Sequence, residues 1–472
     1  MATAMAATSF YDHRPAEVEL RETHISWAFL AGDRVYKVKK PVVFPFLDYG
    51  TPDQRRYMCE QEVRLNRRLA PDVYVGVRPI VRCDEELALG PLEGAEVVDW
   101  AVEMRRFPDD CTLDQLLAQG LLGRPELEAV ARRLVRFHAD VEQAPSGSAR
   151  SSHLRGVINR DLETLWDLAG DLFEPRWLFA AERFFHSFMA GHRDLIEARS
   201  AGGRTRDGHG DLRLEHVVLE EGVQIVDCVE FDPGLRHVDV GDDLAFLVMD
   251  LARRGEEGLG WELVAAYREA GGDPGSDALV AHWTSYRALV RAKIAYLRAA
   301  DATPDPEEQA SALREGTELV GVVERFRWVA RSPLALVFFG GEPDSRRRLT
   351  QAVKAASKLP LVGSEGTSAL RDLGRKAAGV VGRAGGAIVA VDLLDQVGAD
   401  TFCRDIEDST GASPFFVECI DSQETGSGTM SAAQRGITHA ALRVDRPVEA
   451  VVDEVEALLD LGLAARATGP TQ

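Results

Sequence analysis

Cysteine is scarce in this chain of 472 residues: there are six, Cys59, Cys83, Cys111, Cys228, Cys403 and Cys419, far apart and never as C-x-x-C. That spacing argues against both a zinc site and a disulfide framework. Long apolar runs are missing as well, and none approaches the length needed to cross a bilayer. The opening "MATAMAATSFYDHRPAEVE" has no basic region followed by a continuous apolar stretch, so it does not read as a secretory signal, and a short mobile tail is expected there. Basic residues are in deficit, with 55 Lys and Arg against 76 Asp and Glu and a net charge of −21. Phosphate backbones and anionic membranes are held by Lys and Arg, so neither nucleic acid nor a membrane is an expected partner. ATP needs only a local cationic pocket and stays compatible with this balance. Cytoplasm is the default compartment.

What is present is the composition of a globular protein, 45% hydrophobic and 28% charged. The length predicts two or three domains. From about residue 15 to 108 the text reads as a small sheet with one helix. "HISWAFLAGDRVYKVKKPV" is a hairpin turning at Gly32-Asp33, and Thr51 and Pro52 open a helix. Helices are expected over 112–141 and 159–197, then again up to about residue 330. In "HWTSYRALVRAKIAYLRA", Trp283, Tyr286, Val290, Ile294 and Leu297 share one helical face, while Arg287 and Arg291 read as a solvated stripe. His138 reads as a packed helix histidine. Beyond Pro333, short apolar runs alternate with helices, the pattern of an α/β domain with a mostly parallel sheet.

The chemistry concentrates in "DGHGDLRLEHVVLEEGVQIVDCVEFDPGLRHVDVGDDLAF", residues 207–246. Phosphoryl transfer needs an orienting carboxylate, a divalent metal on oxygen ligands, and cations on the phosphates. Asp211 sits at a loop where a carboxylate can accept a hydroxyl proton, and Arg213 can neutralise a transferring phosphate. Asp227 ends a second apolar strand. The hairpin "VVLEEGVQIV", turning at Glu221-Gly222, returns Asp227 toward Asp211.

"HGDLRLEH" followed by "VDCVEFDPGLRHVDVGDDLAF" resembles the aminoglycoside phosphotransferase and choline kinase-like superfamily. With "ETHISWAFLAGDRVYKVKKPVVFPFLDYG", "EVRLNRRLAP" and "MRRFPDD", nearly the whole chain resembles a bacterial family that fuses such a domain to a C-terminal P-loop ATP-binding domain. The resemblance implies a protein-kinase-like bilobal α+β domain over 1–330, with an N-lobe at about 15–108 and a helical C-lobe at about 109–330. An α/β P-loop-like domain would follow over 331–472. It implies ATP and Mg²⁺ as cofactors and a small-molecule hydroxyl as acceptor. Asp211 would be the catalytic base and Asp227 a metal ligand. His209, Asp239 and Asp243 would be structural residues of the loop, with Asp243 capping the helix that follows. Lys37 or Lys39 would contact the phosphates and pair with Glu62, and adenine would lie along 103–108, near Met104 and Arg106.

His216 departs from that pattern, which has Asn in its place. Three readings compete: a metal ligand with a preference shifted toward Mn²⁺ or Zn²⁺, a hydrogen-bond partner of Asp211 that touches no metal, or a mark of an inactive site. The retained acidic positions favour a working but altered site.

The second domain departs further. In "ALVFFGGEPDSRRRLTQAV", Gly340 opens a Walker-like loop, but Ser345, Arg346 and Arg347 occupy the slots for Gly, Lys and Ser/Thr. Arg346 to Arg348 at a helix start could still draw an anion. Asp392 would match the second metal-binding Asp of such folds. The domain reads as a P-loop fold kept for packing, regulation or a protein partner. Function then reads as an ATP-dependent phosphotransferase, with a nucleotide-binding pseudokinase or scaffold as the alternative. Phosphorylation by the C-terminal domain itself is a weaker third reading.

Overall fold

A computed structural model describes residues 1–44, 47–83, 86–145, 147, 151–300, 305–363, 370–384, 386–391, 396–410, 414–420 and 438–465. Asp392 lies outside them. The chain divides into two compact units that interleave in sequence: residues 1–149 with 199–274, and residues 150–198 with 275–472. No helix among the described residues is long and apolar enough to cross a membrane.

The first unit is built on a six-stranded antiparallel sheet. Its order is Val18–Glu22, Ser26–Ala31, Arg34–Lys39, Glu96–Arg105, Tyr74–Cys83 and Glu86–Leu89. Gly32-Asp33 makes the tight turn between the second and third strands, with Gly32 at φ 67°. The helix Pro52–Asn66 starts where Thr51 and Gln54 cap each other reciprocally. It packs on the strands Glu96–Arg105 and Tyr74–Cys83 through Cys59, Val63, Val102 and Tyr74. The helices Arg124–Asp140, Val240–Arg253 and Glu257–Glu269 complete the unit.

The N-terminal segment corrects the expectation of a mobile tail. Met5, Phe10 and Tyr11 are buried with Phe29, Tyr36 and Val38 of the sheet, and the Tyr11 hydroxyl donates to the Met5 carbonyl at 2.7 Å. Three large apolar side chains within seven residues bury enough area to order a short segment, at about 1.5–3 kcal/mol each.

The second unit holds a five-stranded sheet, ordered Leu361–Gly363, Gly386–Ala390, Leu334–Phe339, Phe415–Ile420 and Thr438–Arg443. Every strand pair in it is parallel. Leu334–Phe339 is buried at all six positions, as expected for a central strand covered on both faces. The helix Arg176–Gly191 and the helix Pro306–Val329 with its C-terminal extension join the C-terminal helix Val448–Ala465 through ion pairs, two of them buried and the Arg183 pair half-buried. Arg331 donates to Asp460 at 2.7 Å, Arg183 to Asp460 at 3.0 Å, and Arg327 to Glu456 at 3.0 Å. Breaking one such buried pair costs about 3–5 kcal/mol.

The helix Asp277–Ala299 corrects a second expectation. It is buried on every side from Leu279 to Leu289, so Arg287 is not solvated but lies under cover against the Tyr286 ring. Leu297, placed on the apolar face, is exposed, and Arg291 pairs with Glu315. A helix enclosed by neighbours has no solvent face in its first half, and periodicity alone cannot reveal that.

Candidate active site

The strand Arg34–Lys39 alternates its side chains, so Lys37 and Lys39 point to the same face. Both reach Glu62 on the capped helix: Lys37 Nζ lies 2.9 Å from Oε1, and Lys39 Nζ lies 2.8 Å from Oε2. Their outer partners differ. Lys37, 20% exposed, donates to Asp227 Oδ1 at 2.6 Å. Lys39, 2% exposed, is enclosed by Glu230 and by the Tyr49 hydroxyl at 3.3 Å. Burial works to lower both ammonium pKa values, but facing carboxylates win and hold both well above the usual lysine range. Asp227 leads that set for Lys37 and Glu230 for Lys39.

Asp227 is presented in a constrained backbone. Its φ is 63°, the left-handed region that Asp tolerates better than most residues. Its amide donates to the Tyr74 hydroxyl at 3.2 Å, and the next amide, of Cys228, donates to Asn66 Oδ1 at 2.9 Å. Burial pushes its carboxyl pKa up, but Lys37 above all, with Arg213, holds it far below the ordinary range. The side chain stays 45% exposed, so an oxygen is open to a ligand.

The loop 208–216 is fixed from beneath by Asp243. That carboxylate is fully buried and accepts from the His209 amide at 2.8 Å, the Gly210 amide at 3.0 Å, and His138 Nε2 at 3.1 Å. Desolvation opposes its ionisation, but His138, His209 and the backbone donors outweigh that and depress its pKa. A Cβ on Gly208 would come within 2.6 Å of Asp243 Oδ2, which explains a glycine there. His209 is also fully buried, and burial lowers its pKa to about 4. Its Nε2 donates to the Val226 carbonyl at 2.9 Å, tying the loop to the strand before Asp227.

Asp239 and Asp243 exchange one expected duty. The helix begins at Val240, so Asp239 is its cap, accepting from the Gly241 amide and pairing with Arg199 at 2.8 Å. Asp243 lies one turn further in, where its side chain holds the loop instead of capping the helix.

Asp211 projects from this loop with Oδ2 3.0 Å from Arg213 Nε. Arg213 also pairs with Glu215, and its Nη2 lies 3.0 Å from His216 Nε2. The other ring nitrogen of His216, Nδ1, is 2.8 Å from the Asp211 carbonyl oxygen. His216 Nε2 lies 3.7 Å from Asp227 Oδ2, so Asp211, Arg213, His216, Asp227, Lys37 and Glu62 form one connected group. Met104 and Arg106 make no hydrogen bond or ion pair with it among the described residues. Met104 sits between strands opposite Val35 and Tyr74, and Arg106 donates its amide to Asp33 and faces Glu19. The Arg105 amide is taken by Val73, so two of the amides in 103–108 already have partners.

A hard divalent cation takes oxygen ligands, and Mg²⁺ keeps several waters and substrate phosphates around one or two carboxylates. Asp227 supplies such a carboxylate at an accessible position. Among the described residues no group of three or more His, Cys, Asp or Glu is gathered as a metal cage. Asp227 therefore fits as one oxygen ligand of such an ion, whose other ligands would come from water or a bound substrate.

Four supporting residues escaped the sequence reading. Glu230 and Tyr49 enclose Lys39, with the Tyr49 hydroxyl donating to Glu230 at 2.7 Å. Asp250 accepts from the Leu214 amide at 3.1 Å, and Asn66 bridges the Glu62 carbonyl to the Cys228 amide. Spacing carries a signal for two of them. Asp250 lies seven residues after Asp243, and Asn66 four after Glu62, so each shares a helix face with a residue already singled out.

In the second unit, the strand Leu334–Phe339 runs through Gly340 and Gly341 into the helix Pro343–Ser357. Because that helix starts at Pro343, Ser345, Arg346 and Arg347 sit in its first turns rather than in a loop. Arg346 corrects the expectation of an anion-attracting guanidinium. It is buried and donates to the Gly340 carbonyl at 2.6 Å and the Gly341 carbonyl at 3.3 Å, so its charge is turned back into the glycine turn. Arg347 is exposed and pairs loosely with Asp344.

No family model matches the chain. The uncharacterized proteins Rv2004c of Mycobacterium tuberculosis and Mb2027c of Mycobacterium bovis are each 32% identical to it over 333 residues, 70% of this chain and 63% of theirs. The chain thus spans less than two thirds of the length of these relatives. Among solved structures, a microcompartment-associated aminopropanol kinase has a TM-score of 0.38 at 17% identity, covering 69% of this chain and 97% of that one. An amicoumacin kinase in complex with AMP-PNP, Ca²⁺ and Ami also has a TM-score of 0.38, at 10% identity over 68% and 91% of the two chains. An aminoglycoside-3'-phosphotransferase of type VIII has 0.30 at 16% identity over 68% and 98%. These neighbours are small-molecule kinases and phosphotransferases.

Proposed function

We infer that the chain is an ATP-dependent phosphotransferase that moves the γ-phosphoryl group to a hydroxyl of a small molecule. The observation that carries this reading is the continuous chain Glu62–Lys37–Asp227, whose end lies beside the loop presenting Asp211. It supplies a lysine for phosphate oxygens, a carboxylate for a divalent cation and a carboxylate for the acceptor, within one group. Residues 1–330 are read as the kinase-like domain and 331–472 as a degenerate P-loop domain.

In the proposed step Asp211 orients the acceptor hydroxyl and takes its proton. The hydroxyl oxygen bonds to the γ-phosphorus as the bond from that phosphorus to the β–γ bridging oxygen breaks, and ADP leaves. Such a positioned base contributes about 10²- to 10⁴-fold. Lys37 is assigned to the phosphates, because it is the partly exposed lysine and faces Asp227. Asp227 would hold Mg²⁺ or Mn²⁺, which when bound neutralises phosphate oxygens. The buried Arg346 supports a C-terminal domain that neither binds nucleotide at the glycine turn nor transfers phosphate, and that serves packing or a protein partner.

The test is transfer from [γ-³²P]ATP to a panel of small alcohols and amino alcohols, with Mg²⁺ and with Mn²⁺. Labelled product from wild type, lost in Asp227→Asn, is expected. Nucleotide bound without turnover against every acceptor would favour the scaffold, and no binding at all would remove nucleotide chemistry from the first unit.

A further inference from the structure

His216 has two ring nitrogens, and the chemistry of their neighbours fixes what each is doing. Nδ1 lies 2.8 Å from the Asp211 carbonyl oxygen, which can only accept, so Nδ1 carries the hydrogen and donates. Nε2 lies 3.0 Å from Arg213 Nη2, and a guanidinium has donors but no acceptor, so Nε2 accepts through its lone pair. The ring is therefore the neutral Nδ1–H tautomer, assigned from its partners. The opposite tautomer would set two donors against each other at Nε2 and leave two acceptors facing each other at Nδ1.

A metal ligand needs the same lone pair. A neutral imidazole has one, and here it is spent on Arg213. Arg213 is not easily turned out, because Asp211 holds its Nε at 3.0 Å and Glu215 pairs with its Nη1. The guanidinium thus stands as a fixed positive charge between Asp211 and His216, with Asp227 Oδ2 and Glu215 Oε1 each 3.7 Å from the same ring nitrogen, Nε2.

We propose that His216 is a positioning residue that holds Arg213 beside Asp211, and that the site takes a single divalent cation, on Asp227, with Arg213 as its other fixed positive charge. The cation count rests on the phosphotransferase reading above, whereas the role of His216 rests on the ring contacts alone. The ring keeps the Asp211 backbone and the Arg213 side chain in register at once. It explains why a nitrogen heterocycle can stand in this loop without becoming a ligand.

Two measurements on the full chain test the two parts separately. In metal-free protein with ¹⁵N-labelled histidine, NMR reads the His216 tautomer directly. The expected result is a protonated Nδ1 and an unprotonated Nε2 whose resonance shifts by several ppm in Arg213→Lys. A protonated Nε2, or an Nε2 indifferent to that substitution, would overturn the positioning role. Mn²⁺ titrated with a non-hydrolysable ATP analogue, followed by electron paramagnetic resonance, reads the metal. One Mn²⁺ per chain is expected, with no nitrogen coupling that changes on histidine labelling. His216→Asn, which adds an amide oxygen and releases Arg213, is expected to raise the count to two. A histidine-derived nitrogen coupling in wild type, lost in His216→Asn, would overturn the proposal. If no Mn²⁺–nucleotide binds, the phosphotransferase reading and the single-cation claim fall together, and the NMR result alone decides the role of His216.

Discussion

Lys37 and Lys39 share one carboxylate, yet their replacement is expected to break different things. Lys39→Met removes the cation enclosed by Glu62 Oε2 at 2.8 Å, Glu230 and the Tyr49 hydroxyl, at a position 2% exposed. Removing one member of a buried, hydrogen-bonded ion pair costs about 3–5 kcal/mol, because the remaining charges are left without compensation. That is a large share of the roughly 5–15 kcal/mol that holds a typical fold. Lys37→Met removes a lysine whose second partner, Asp227, is 45% exposed, so water can take over the solvation of that carboxylate. Lys39 still covers the buried Glu62, so the cost to stability is expected to be smaller than for Lys39→Met, about 1–3 kcal/mol. Its effect on nucleotide should be the larger one. A charge-assisted bond to phosphate is worth about 1.5–3 kcal/mol, or roughly 10- to 150-fold in Kd. Urea unfolding and calorimetric titration with an ATP analogue separate the two outcomes. A Lys39→Met protein that unfolds like wild type but loses nucleotide affinity, with Lys37→Met showing the reverse, would refute this division of labour.

Asp243→Ala leaves the amides of His209 and Gly210 buried without an acceptor and is expected to cost about 2–5 kcal/mol near neutral pH, measured by chemical unfolding. Because the folded-state pKa of Asp243 is depressed, its contribution is complete above the unfolded value near ~3.9 and is lost as pH falls through the folded one; the gap between wild type and Asp243→Ala should narrow below about pH 4. Gly208→Ala brings a methyl within 2.6 Å of Asp243 Oδ2, so steady-state kinetics should show a fall in kcat of about 10- to 100-fold, with a thermal-shift loss of about 1–3 kcal/mol. Arg346→Ala strips the donor from the Gly340 and Gly341 carbonyls and is expected to destabilise the second unit by about 1–3 kcal/mol while leaving ATP turnover unchanged; loss of turnover would show a nucleotide role for that turn.

The strands, the capped helix and the order of the acidic residues were legible because each has a local cause. Thr51-Pro52 starts a helix, Gly32-Asp33 turns a hairpin, and Glu221-Gly222 folds the strand that leads to Asp227 back along its partner. What was not legible depends on partners distant in sequence. Lys37 and Lys39 are equivalent by strand alternation, and only Asp227 and Glu230, some 190 residues later, distinguish them. Asp239 and Asp243 are both helix-start acids, and their duties part because the helix begins at Val240. The N-terminal segment reads as a tail until the sheet offers Phe29 and Tyr36 to Tyr11. Arg346 reads as a phosphate-facing charge, but in a turn of two glycines the nearest acceptors are the turn's own carbonyls. His216 is the clearest case. The residue type suggests a soft metal ligand, and the neighbours on its two nitrogens assign it a different task.

The most direct test of the phosphotransferase claim is single-turnover transfer from [γ-³²P]ATP by wild type and by Asp211→Asn, with nucleotide affinity measured on the same samples. The expected result is equal affinity and a transfer rate lower by about 10²- to 10⁴-fold in Asp211→Asn, since the amide cannot take the hydroxyl proton. Transfer at the wild-type rate by Asp211→Asn would contradict it, because the carboxylate at the end of this loop would then have no part in the chemistry.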